Sequence, residues 1–147
     1  MARDPIAGTP LLTLGLLTFG VGIYFVGIRP PLLSGDIVFT GVAPDALPQK
    51  VRDWLGIVFA TWGGFTIGFA LVLSGMGASL VTGRWAWIRW TTALALVVAF
   101  GRYFASNIII ESDFLWFIAL LFVLSLAAAG SLALGNERKK ISTTGNQ

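Results

Sequence analysis

The sequence predicts an all-α integral membrane protein: a four-helix antiparallel bundle with both termini on the cytoplasmic side. Three observations carry that prediction. The 147 residues are 56% hydrophobic and only 12% charged, about half the charge of a soluble domain, where roughly a quarter of residues are charged. Four apolar stretches each reach about 20 residues, the length that crosses about 30 Å of hydrocarbon at about 1.5 Å per residue. None carries the polar stripe, repeating about every 3.6 residues, that marks a helix half-covered by water.

The first stretch, 11–28, follows a short charged start. A cleavable secretory signal is disfavoured, because Asp4 offsets Arg3 and "GIRPPLLSG" follows where a small-residue cleavage site would stand. A retained helix is expected. Residues 29–53 then hold four of the six prolines. Pro30, Pro31, Pro44 and Pro48 forbid a long helix, so this segment is expected to be an extracytoplasmic loop. Within it "DIVFTGVA" is apolar and β-branched, which suits a plain connector, a short strand, an interfacial segment or a lid over the helix ends. The second helix is expected at 54–75, with "SGMGASLVTGR" as a short turn, the third at 86–106 and the fourth at 114–134. Residues 135–147 read as a polar cytoplasmic tail, with a basic run suited to anionic headgroups. Trp85, Trp87 and Trp90 at the start of the third helix, with Trp54 and Trp116 opening the second and fourth, match an interfacial aromatic belt. Trp62 lies deeper, as a packing or lipid-facing residue.

Orientation follows from the ten Lys and Arg residues. With both termini inside, the cytoplasmic side holds Arg3, Arg84, Arg89, Arg138, Lys139 and Lys140, against Arg29, Lys50, Arg52 and Arg102 outside. The excess of cations belongs on the cytoplasmic side, which gives an N-in, C-in, multi-pass protein of the cell (inner) membrane. The same topology accounts for the sequence pI near 9.8, so nucleic acid is not an expected partner.

Composition also bounds the chemistry. The chain has no cysteine and no histidine, which removes thiol redox chemistry, thiolate or imidazole metal sites and histidine acid–base work. A serine nucleophile would lack its usual base. No metal, cofactor or catalytic residue is expected, and a non-enzymatic role is favoured.

In lipid, helices associate through close backbone approach over small side chains rather than through hydrophobic drive. Gly56, Ala60, Gly64 and Gly68 form a row at spacing four on the second helix, the predicted packing stripe. Gly15 with Gly22 and Gly20 with Gly27 repeat at seven on the first, and Ser125 with Ala129 and Ala127 with Ser131 at four on the last. On the third helix, Thr91, Ala95, Ala99, Arg102 and Ser106 share one face, which should turn inward and carry Arg102 with it. Two readings of Arg102 stand. It pins the outer helix ends as an ion-pair latch to Glu111, Asp113 or Asp53, or it forms an anion or polar-headgroup site with Ser106 and Asn107, joined by Tyr24 and Arg52.

"VRDWLG" opening a second helix, "GR" at Gly101 and Arg102, and a short acidic loop before a fourth helix resemble small DoxX-like four-helix bacterial membrane proteins. The resemblance spans about Leu11 to Leu134 and implies a membrane four-helix bundle without an assigned activity. Three functions compete: an accessory module binding lipid, small molecule or protein; a small dimeric transporter; and a membrane subunit accessory to a quinone or lipid oxidoreductase. The transporter lacks the buried membrane carboxylate such exporters use, and the oxidoreductase would need a partner to carry its cofactor. Membrane lipids are the expected partners, with a protein partner or a homo-oligomer beside them.

Overall fold

The computed structural model describes residues 3–134, so the polar tail lies outside the described residues. All regular structure among the described residues is helical: α1 (Pro5–Ile23), continued by a π-helical turn (Tyr24–Ile28), α2 (Ser34–Thr40), a 3₁₀ turn (Pro44–Ala46), α3 (Gln49–Thr82), α4 (Ala86–Ile109) and α5 (Leu115–Leu134). Four of these, α1 with its π turn, α3, α4 and α5, are long and apolar enough to cross a membrane.

The boundaries follow local chemistry. Helix α1 begins six residues before the expected Leu11, because the Asp4 carboxylate accepts from Ala7 N at 3.1 Å and Pro5 occupies the first helical position. Proline costs nothing there, since that N–H has no helical partner. Helix α3 is longer than expected at both ends. Its first turns hold Lys50, Arg52 and Asp53, which a hydropathy window excludes although the backbone continues through them. At the other end the expected turn "SGMGAS" is helical, and α3 stops only at Gly83, whose φ of 70° closes the helix while its N–H donates to Ser79 O at 2.8 Å. The segment "DIVFTGVA" is neither strand nor plain connector. Most of it belongs to the short helix α2, whose Asp36 accepts from Leu33 N at 2.9 Å.

Packing is serial. Helix α1 packs on α3, α3 on α4 and α4 on α5, and no other pair of long helices among the described residues makes more than marginal contact. Each neighbouring pair runs antiparallel. On α1, Gly8, Gly15 and Gly22 are buried at spacing seven. A Cβ at Gly8 would lie 2.9 Å from Gly77 O, one at Gly15 2.8 Å from Ser74 N, and one at Gly22 3.0 Å from Ile67 N. The facing row on α3, Gly63, Ala70 and Gly77, also repeats at seven and is buried. A second α3 face, with Gly64, Gly68 and Gly75, meets Arg102, Ala99 and Thr91 of α4.

Among the described residues the expected antiparallel bundle is laid out as an open row. Helix α4 turns Ala95, Ala99 and Ser106 toward α3 and Ala93 and Gly101 toward α5. At about 100° per residue those faces lie nearly opposite, whereas a ring of four would require neighbours roughly 90° apart. Helices α1 and α5 become edges, and Gly20 and Gly27 face open space. The same holds for Gly56, which leaves the expected packing stripe, while Ala60, Gly64 and Gly68 are buried. All six tryptophans, Trp62 included, are exposed on the outside of the row.

Candidate functional site

Arg102 lies 16 residues along α4 from Ala86, about 24 Å, and seven before Ile109, about 10 Å short of the helix end. Its stem crosses bare backbone: a Cβ at Gly64 would come within 2.7 Å of Arg102 Cβ and 2.8 Å of its Cγ. Gly64 thus makes room for the arginine. Helical Cα–Cβ bonds tilt toward the N-terminus, so the Arg102 stem starts away from the nearer end of α4 and reaches its own surface only by turning back. Its Nε is buried with no hydrogen-bond partner.

The expected latch does not form. Among the described residues the sole ion pair is Arg29 with Asp36, at 2.8 Å. Glu111 and Asp113 are exposed in the turn after α4, beyond the 10 Å that separates Arg102 from Ile109. Glu111 takes a positive φ of 52° in that turn. Asp53 accepts from Gln49 at 2.8 Å. It lies 11 residues, about 16 Å, along α3 from Gly64, the level of Arg102. Arg52 reaches Pro44 O at 3.5 Å and also keeps a buried Nε without a partner. Tyr24 opens the π turn that continues α1, which packs on a different face of α3, and its aromatic neighbour is Phe25 at 5.9 Å.

Ser106 and Asn107 do lie beside Arg102 on α4, buried to 2% and 7% exposure. The Ser106 hydroxyl sits 2.7 Å from that of Thr61 on α3, which is 2.8 Å from Ile57 O. Thr61 donating to the carbonyl and Ser106 donating to Thr61 satisfies both. Asn107 donates from Nδ2 to Tyr103 O at 2.9 Å. The Thr61–Ser106 pair stitches α3 to α4 and Asn107 bonds back within α4, so of these three α4 residues it is Arg102 whose side chain shows no hydrogen bond among the described residues.

A different arginine makes the latch. The Arg29 side chain, 7% exposed, sits 3.5 Å over the Phe59 ring and 5.5 Å from the Phe25 ring while pairing with Asp36. It ties α2 to the π turn and, through Phe59, to α3. The sequence signal was an arginine and an aspartate seven apart across Pro30 and Pro31, a spacing that a proline-restricted chain can fold back on. At the opposite end Arg89 donates from Nε to Leu132 O at 3.1 Å and from Nη2 to the same oxygen, tying α4 to α5.

Among the described residues no group of acids could hold a metal ion. No family model, curated protein or solved structure matches the chain.

Proposed function

We propose that this is a multi-pass protein of the cell (inner) membrane, N-in and C-in, that serves as a non-enzymatic accessory module, with Arg102 as the contact for a phosphate or carboxylate carried by a lipid or a partner. The observation that carries the reading is a half-buried guanidinium, inside a membrane-length helix, with no carboxylate within salt-bridge distance among the described residues. An ionisable group inside a membrane span is costly to keep without a function, up to about 3 kcal/mol at a bilayer centre on insertion scales and less toward an interface. The outer edges of α1 and α5 are where a further helix, from a second copy or another protein, would extend the row. Likeness to the DoxX-like group belongs to this proposal and rests on Arg102 with Gly101 and the "VRDWLG" opening.

The test is native mass spectrometry of protein extracted with its surrounding lipid, wild type beside Arg102→Gln. A defined extra mass bound to wild type and lost from the variant supports the reading and identifies the ligand class. Identical spectra with equal thermal stability would leave Arg102 without a role and remove the proposal.

A further inference from the structure

An open groove lies between α4 and α5, near the turn that joins α3 to α4, with a volume of about 580 Å³. That is within the roughly 300–1,000 Å³ of small-molecule sites. Trp87, Trp90 and Leu94 wall it and Ala93, Gly130 and Ala133 floor it, so its surface is almost all carbon. A small recess continues from it past Trp90 and Ala133 to Arg89. There the guanidinium is held in place by the Leu132 carbonyl, to which both Nε and Nη2 donate. A carbonyl satisfies hydrogen bonds without neutralising charge. Among the described residues Arg89 has no acidic partner, and the acid at this end is Asp4, committed to capping α1.

An apolar trough ending in a fixed cation that has no acidic partner among the described residues is complementary to an amphiphile with a hydrocarbon chain and an anionic head. We propose that the α4–α5 groove holds one acyl chain of an anionic phospholipid from the bilayer, with its phosphate against Arg89. Trp87 and Trp90, 49% and 59% exposed, place this end of the groove at the headgroup level, where tryptophan concentrates. A helix of a second copy fits less well, because it would have to bring a carboxylate to this end and the described residues offer only Asp4. The site is separate from Arg102, which faces α3.

The test uses the full chain reconstituted with an equimolar mixture of phosphatidylglycerol and phosphatidylcholine and read by native mass spectrometry. Wild type is expected to retain one phosphatidylglycerol about tenfold over phosphatidylcholine, and Arg89→Gln to lose that preference, as expected for a charged hydrogen bond. Because Arg89→Gln also removes a tie between α4 and α5, Gly130→Leu is the second variant. A Cβ at Gly130, which lines the trough, meets nothing within 4 Å, so the side chain starts into open space and leaves Arg89 intact. It should lower retention about tenfold, while Arg84→Gln, an exposed cation at the same end, and Arg102→Gln keep this lipid. A folded Gly130→Leu that retains phosphatidylglycerol like wild type overturns the proposal. So does equal retention of the two lipids by wild type, or an Arg84→Gln loss as large as that of Arg89→Gln.

Discussion

Replacing Gly77 by alanine tests the seam between α1 and α3 with one methyl group. That methyl would lie 2.6 Å from Leu12 N, 2.8 Å from Gly8 O and 2.9 Å from Leu12 Cα. All three are backbone atoms of α1, so no side-chain rotation can make room. Ordinary contact needs about 3.5 Å, so the helices must separate by about 1 Å at this point. Overpacking of that kind costs about 1–3 kcal/mol, against which alanine recovers about 0.8–1 kcal/mol over glycine in a helix interior. Gly20→Ala on α1 supplies the control, since its methyl meets nothing within 4 Å and collects the propensity gain alone. The difference between the two variants is therefore the overpacking term itself, about 1–3 kcal/mol. Reversible unfolding in mixed micelles of wild type, Gly77→Ala and Gly20→Ala would measure it. If Gly77→Ala matched Gly20→Ala within about 0.3 kcal/mol, the close approach of α1 to α3 would be refuted, and the serial packing with it.

Further predictions separate the polar contacts and test the orientation. Arg29→Gln should destabilise by about 2 kcal/mol, since it removes a charged hydrogen bond and a ring contact from a side chain 7% exposed. Arg102→Gln, with no ion pair to lose, should stay within about 0.5 kcal/mol of wild type in the same unfolding assay; the reverse order would restore Arg102 as the latch. A double-mutant cycle of Thr61→Ala and Ser106→Ala should give a coupling near 0.6 kcal/mol, the average for hydrogen bonds between membrane helices, and zero coupling would dismiss the 2.7 Å contact. With no native cysteine to interfere, Thr40→Cys should react with an impermeant maleimide in intact cells and Arg84→Cys only after permeabilisation. The opposite pattern reverses the orientation.

The four spans were legible because length and hydropathy are one-dimensional properties, and α4 and α5 came out within a few residues of expectation. Glycine was harder to read. In "SGMGAS" the residues Gly75 and Gly77 look like a turn, yet they are the points where α3 touches α4 and α1, and a sequence does not say whether a missing Cβ serves a bend or a neighbour. Gly56 shows the converse, a residue on a regular stripe that faces nothing, because α3 there extends past the ends of its partners. Arg102 was expected to turn inward, and its stem lies against Gly64 of α3. Its ion pairs were misread because spacing along the chain was taken for proximity, whereas the long α3 carries Asp53 about 16 Å away. Arg29 was missed because its partner becomes close only after two prolines turn the chain.

The openness of the row follows from where small residues sit. Between α1 and α3 glycine faces glycine or small residues through several turns, and between α3 and α4 glycines meet Ala99, Thr91 and the stem of Arg102, so both pairs approach closely. Between α4 and α5 the pattern divides. At one end Phe104 and Phe122 stack with ring centroids 5.2 Å apart, which places two bulky rings between the helices. At the other end Ala93, Gly130 and Ala133 are too small to fill the space between the helices, and bulky Trp87 and Trp90 turn outward. Lipid tails are as apolar as these side chains, so no hydrophobic force closes the gap. The gap becomes the groove, and the hydrogen bonds from Arg89 to Leu132 O hold its end at a fixed width. Substitutions that shrink the Phe104–Phe122 contact should therefore draw α5 toward α4 and narrow a groove to which neither residue belongs. Phe122→Ala would show this as lost phosphatidylglycerol retention with Arg89 and Gly130 untouched, whereas unchanged retention would mean that the aromatic stack does not set the spacing.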